Sequence, residues 1–156
     1  MTLEPGTIVY FTPFYFPDGG AAAKPKYFIF LCKDGDHSLV ATLPTRTDRT
    51  PLGAVKTHGC LSAAGASFSS YYFQPGRPIT INGWCFPDPH PTYIYPRWVE
   101  TYDQKIFDQI YVVEGVDYHI MGRLTKEEYE ALVKCISGSN DAKMKYKRLL
   151  SSSRYN

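Results

Sequence analysis

Tyr27-Phe-Ile-Phe-Leu-Cys32 is apolar at every position, without the polar alternation of a strand that has one wet face. It reads as a strand covered on both sides, which obliges the rest of the chain to supply apolar layers to two faces of a sheet. Pro25 holds Lys24 in extended backbone and lacks a donor of its own, which suits the first position of a strand beginning at about Lys26. Lys33-Asp-Gly-Asp36 has the composition of a turn and closes the strand.

With 156 residues, 44% of them hydrophobic, the chain is long enough for one domain with a real core and too short for two ordinary ones. Its 13 Tyr, 9 Phe, 12 Gly and 12 Pro favour short strands joined by many turns over a helical bundle. The opening MTLEPGTIVYF lacks a basic n-region and a long apolar stretch, and no run approaches the ~18 apolar residues of a membrane span. The expectation is a soluble, cytoplasmic protein without a membrane partner. Cys32, Cys60, Cys85 and Cys135 are widely spaced and are expected as free thiols in a reducing compartment. His58-Gly-Cys60 and Cys85 with His90 lack the CxxC or HxxxH spacing of a zinc site, so no metal and no cofactor is expected.

The net charge is only +2, but residues 138–156 hold Lys143, Lys145, Lys147, Arg148 and Arg154 against Asp141, five minus one, and so carry +4. This basic tail reads as a solvated helix face, or as a contact for nucleic acid or an acidic partner.

Along the chain, Gly6–Phe11 reads as a first strand between Pro5 and Pro13, and the aromatics and Pro17-Asp-Gly-Gly20 that follow read as a loop. Ser38–Leu43 is a further strand, running into Pro44-Thr-Arg-Thr-Asp-Arg49, whose hydroxyls and guanidiniums suit a phosphate. Residues 59–104 are the least regular part, with short strands expected at Tyr71–Phe73, Ile79–Ile81 and Thr92–Tyr95, and another strand is expected at Phe107–Val113. The clearest helix begins at Thr125, whose spacing to Glu128 makes a capping box and whose neighbours Leu124 and Tyr129 fit a hydrophobic staple. Tyr129, Leu132, Val133 and Ile136 form its apolar stripe and Gly138 is placed to end it; a second helix is expected over about Asp141–Leu150.

Taken in order, these elements resemble the MazF/PemK/Kid family of type II toxins. Pro5-Gly-Thr-Ile-Val9 stands where the family opens with G-D-I-V, and Lys24-Pro-Lys-Tyr-Phe-Ile-Phe-Leu31 where it has R-P-A-L-V-L. Ala41-Thr-Leu-Pro-Thr45 is similar to its P-x-T strand end, Asp108-Gln-Ile110 to its D-Q-I/V, and Gly122-Arg-Leu-Thr-Lys-Glu-Glu-Tyr129 to the opening of its last helix. The match covers both ends of the chain, and residues 59–104 are longer than the family's usual middle.

The resemblance implies a mainly β protein with helices (α+β): an SH3-like, partly open β-barrel over residues 1–138 with an enlarged middle at 59–104, then a basic helix and tail at 139–156. It implies a homodimer, a cognate antitoxin and RNA as partners, and metal-independent RNA cleavage within a toxin–antitoxin system. Carried over residue by residue, it places Lys24, Thr45 and Asp108 in the catalytic site and Ile106 where some members have an arginine. Lys26, Arg46 and Arg49 stand beside them as RNA-binding cations. Ile106 cannot carry a proton, and Lys24 offers a point charge where a guanidinium grips two phosphate oxygens. Asp108 could take the proton of a 2′-hydroxyl and Lys24 could stabilise charge on phosphorus, while no motif assigns the acid, for which His58 and Arg46 are the candidates. A non-catalytic SH3-like binding module is the other expectation.

Overall fold

The computed structural model describes residues 1–15, 23–43, 56–62, 69–87 and 91–156. In chain order they form β1 (Thr7–Phe14), β2 (Lys24–Asp34), β3 (His37–Thr42), β4 (Gly59–Ser62), β5 (Ser69–Phe73), β6 (Thr92–Ile94), a 3-10 turn (Pro96–Trp98), β7 (Val99–Asp103), α1 (Gln104–Ile110), β8 (Tyr118–Arg123), α2 (Lys126–Ser137) and α3 (Met144–Ser152). Five strands make an antiparallel sheet in the order β7-β3-β2-β1-β8, and β4-β5-β6 make a second, smaller one. The fold is α+β, as expected. Among the described residues the strands form two open sheets and no closed barrel. No helix of the described residues is long and apolar enough to cross a membrane.

β2 lies at the centre of the large sheet and explains its own composition. Side chains alternate between faces along a strand. Ile29 and Leu31 enter a cluster with Ile8, Leu39, Tyr129, Leu132 and Leu150 on one side. Phe28 and Phe30 enter another with Val9, Phe11, Val40, Phe107 and Tyr111 on the other. The first face is therefore covered by α2, α3 and the small sheet, and the second by α1 and the residues after it. The β2–β3 hairpin pairs Asp34 with His37 around Gly35, whose φ of 59° is the left-handed value that a two-residue turn requires.

A bulge interrupts the β2–β3 ladder between Phe30 and Cys32. The Leu31 carbonyl there accepts from the Tyr129 hydroxyl of α2 at 2.8 Å, within a buried environment. The C-terminal segment closes over the same region. Tyr155 donates through its hydroxyl to the Leu124 carbonyl at 2.7 Å, and its ring lies 3.8 Å from the Arg123 guanidinium carbon. Gly122 of β8 meets a close approach as well, since a Cβ there would collide with Asn82 Oδ1 and crowd Thr80.

Three expectations are corrected. Residues 107–113 are not a strand: α1 occupies Gln104–Ile110, because the Asp103 carboxylate caps it by accepting from the Lys105 N–H at 2.8 Å, and Phe107 and Tyr111 pack together at helical spacing. The edge beside β3 is taken instead by β7, from the stretch that read as irregular. Ile79–Ile81 contributes an isolated bridge, Thr80 to Leu124, and no named strand. Cys60 and Cys135 are not free thiols: they form a disulfide between β4 and α2, with Cα atoms 5.5 Å apart across a sequence separation of 75, while Cys32 and Cys85 are free. Packing α2 over the small sheet brings together two cysteines that spacing along the chain does not relate.

Reducing this bond, or replacing it by Cys60→Ser with Cys135→Ser, is expected to lower the unfolding free energy by about 4 kcal/mol, the scale for a cross-link closing a loop of this length. Guanidinium titration with and without a dithiol measures the loss.

Candidate functional site

Lys24 is exposed at the first position of β2, paired with Phe14, and Lys26 is partly buried opposite Phe11. Alternation puts both side chains on the face that carries Phe28 and Phe30, at the end of β2 away from its hairpin turn. Burial depresses the Lys26 ammonium below the usual lysine range, and neighbouring Lys24 lowers it further, with Glu100 acting in the opposite sense. The pair is therefore a concentrated positive rim beside the aromatic layer.

Asp108 is elsewhere. It lies on α1, accepting from the Gln104 side-chain amide at 3.0 Å and from the Met1 amine at 2.7 Å. Its slight burial tends to raise its pKa, but these hydrogen bonds outweigh that and hold it below the ordinary carboxylate value. Gln104 itself is anchored near the β2–β3 turn, where its N–H donates to the Asp36 carbonyl at 2.9 Å. α1 thus starts at the hairpin end of β2 and runs on to Tyr111, whose hydroxyl meets the Tyr15 N–H beside the Phe14–Lys24 pair, with Asp108 in between. Ile106 is half-exposed on α1. Thr45, Arg46 and Arg49, with the whole Pro44–Arg49 segment, lie outside the described residues, as do Pro17–Gly20 and His90.

The structure assembles a different polar cluster. His58, just before β4, places Nε2 2.6 Å from Glu128 Oε1 on α2, and the Tyr71 hydroxyl of β5 donates to Glu128 Oε2 at 2.6 Å. The Gln74 N–H donates to His58 Nδ1 at 3.1 Å, which makes Nδ1 an acceptor and leaves the imidazole proton on Nε2, directed at the carboxylate. The side chains of His58 and Glu128 are 7% and 13% exposed. Burial, then the bond to Glu128 and its charge, push the Tyr71 phenol far above its ordinary value. Both imidazole nitrogens and both carboxylate oxygens are engaged within the protein, so the cluster holds elements together and leaves no nitrogen to shuttle a substrate proton. Cys60 and Cys135 stitch the same pair of elements one step further along, β4 to α2.

Sequence reasoning read Glu128 as half of a capping box. Thr125 Oγ1 does accept from the Glu128 N–H, at 3.3 Å, but the Glu128 carboxylate turns to His58 and Tyr71, and the Thr125 N–H donates to the Ile79 carbonyl instead. Partners 57 and 70 residues away leave no local signal. Among the described residues no group of three His, Cys, Asp or Glu side chains could hold a metal ion. Fold and site together define an antiparallel α+β protein with a cationic strand end and a partly buried polar clasp. No family model, curated protein or solved structure matches the chain.

Tyr71→Phe strands one oxygen of a nearly buried carboxylate and is expected to cost about 1–3 kcal/mol of stability in denaturant titration. The phenol is held protonated in the folded state beyond the pH at which the unfolded chain releases it. Its contribution is intact below about pH 10 and declines as pH rises above that, so the alkaline loss of stability is expected to be shallower in Tyr71→Phe than in the wild type.

Proposed function

We propose that the chain is a non-catalytic binding module, a divergent relative of the MazF/PemK/Kid toxins, that holds single-stranded RNA through the rim bearing Lys24 and Lys26. One observation carries this reading: the two cations share a face at the start of β2, whereas the carboxylate of Asp108, the candidate base, is already bonded on α1 to the Gln104 amide and the Met1 amine. Cleavage of a phosphodiester needs a base at the 2′-hydroxyl and a cation at the same phosphate, within hydrogen-bond reach of the reacting atoms. A carboxylate held below its ordinary pKa by such bonds is a poor base, and cations beside it bind without cutting. The half-exposed Tyr15, whose N–H reaches the Tyr111 hydroxyl at 2.8 Å, adds an aromatic surface at the Phe14 end of β1, where Lys24 pairs. Bases stack on such surfaces without sequence preference.

The reading predicts binding of mixed-sequence RNA in EDTA with the RNA left intact. The slope of log affinity against log salt is expected to weaken by about 0.7 for each of Lys24→Ala and Lys26→Ala, as for one phosphate contact to a single strand. Fluorescence anisotropy over a salt series, with a gel of the recovered RNA, measures both. Cleavage lost in Lys24→Ala and in Asp108→Asn would instead establish a metal-independent endoribonuclease. Growth arrest on expression, relieved by an antitoxin partner, would point the same way, and harmless overproduction favours the module. Absence of binding at low salt removes RNA as the ligand.

A further inference from the structure

The second surface of note lies on α1 and the loop after it. Ile106 and Ile110 stand one turn apart on the helix at 48% and 41% exposure, and Val112, Val113 and Val116 follow at 66%, 50% and 67%. Single exposed hydrophobics are ordinary, but five in eleven residues concentrate apolar surface on one helix and the loop that follows it. The loop is set in advance. The Asp117 carboxylate accepts from the Val112 and Val113 N–H groups at 3.0 and 2.8 Å, the Asp117 N–H donates to the Val113 carbonyl at 2.8 Å, and the Gly115 N–H donates to the Tyr118 carbonyl at 2.7 Å. A partner therefore meets valines that are already ordered, which lowers the entropic cost of association.

The patch is acidic. Residues 103–117 hold Asp103, Asp108, Glu114 and Asp117 against Lys105, four minus one, and the Met1 amine paired with Asp108 leaves a net −2. The complementary chemistry is present on the same chain. α3 buries Tyr146 and Leu150 and turns Met144, Lys145 and Arg148 outward, Met144 being 60% exposed, so its outer face is one apolar side chain among cations. Lys143, Lys145, Lys147, Arg148 and Arg154 have no acidic residue among them from 143 to 154. Within one copy the two surfaces cannot meet. α1 covers the Phe28 and Phe30 face of the large sheet, and α3 packs into the cluster on the Ile29 and Leu31 face.

We propose that the protein associates head to tail, the acidic apolar patch of α1 and its loop on one copy receiving the basic outer face of α3 on a second. Because the two halves of the contact lie on opposite faces of the sheet, each copy keeps one half unused after the first contact. The assembly then continues as a chain or closes as a ring, unlike a two-fold dimer.

The test uses the full chain in sedimentation velocity over a concentration series at low and high salt. The wild type is expected to grow past two copies with concentration and to dissociate with salt. Glu114→Gln with Val116→Ser, and separately Lys145→Gln with Arg148→Gln, are each expected to weaken self-association by more than about tenfold. All four side chains are exposed, and thermal melts of both variants confirm the fold. Mixed together, the two variants retain one intact patch and one intact α3 between them and are expected to pair once, stopping at two copies. A wild type that stays monomeric at every concentration overturns the proposal. So does an assembly that neither variant weakens, or a mixture that forms no pair.

Discussion

A strand with no polar face cannot be stable until both of its sides are dry, and β2 imposes that condition on the whole molecule. Leu31 and Ile29 are fully buried on one face, while Phe28 and Phe30 are nearly so on the other. Neither face is covered by its own sheet. One needs helices and a second sheet brought from the far half of the chain, and the other needs a helix inserted between the last two strands of the large sheet. Burying a side chain of this size is worth roughly 1.5–3 kcal/mol, so the double cover of β2 supplies a large part of what the folded state gains.

The two coverings use different physics. On the α1 side the layer is almost wholly aromatic: Phe11 packs on Phe14, Phe28, Phe107 and Tyr111 with centroids 4.4–5.8 Å apart. On the α2 side the apolar stripe is joined by directed bonds, a disulfide and the His58–Glu128–Tyr71 clasp, which fix the small sheet against the helix. Aromatic packing tolerates small shifts, whereas a largely buried carboxylate with both oxygens committed does not. The small sheet has three strands, and these added bonds tie it to the helix that packs on it.

Local patterns made much of the framework legible. The double-sided apolar run of β2, the turn around Gly35 and the cap and stripe of α2 are all written in contiguous residues, and the structure places them there. α1 reads as a strand because Ile110, Val112 and Val113 are β-branched, although in the fold they face solvent. The contrary signal was present in Asp103 as a cap and in the four-residue spacing of Phe107 and Tyr111. The disulfide and the carboxylate clasp were not legible in the same way. Each joins residues of different elements, and nothing near Glu128 distinguishes a side chain that turns back to its own helix from one that crosses to a neighbouring strand. Of the candidate site, the lysine pair is legible in a single strand, while Asp108 sits on a helix whose β-branched residues carry the pattern of a strand.

The bulge in β2 has a bearing on α2 that its apolar stripe alone does not. A stripe of leucines and isoleucines permits a helix to rock about its axis by tens of degrees, since dispersion contacts are not directional. The carbonyl of Leu31 is directional, and the Tyr129 hydroxyl meets it. Advancing the helix by one residue would swing that phenol through about 100° and abandon a buried acceptor. An irregularity in a strand thus acts as the index mark for a helix, and the azimuth it sets also determines where Glu128 and Cys135 arrive.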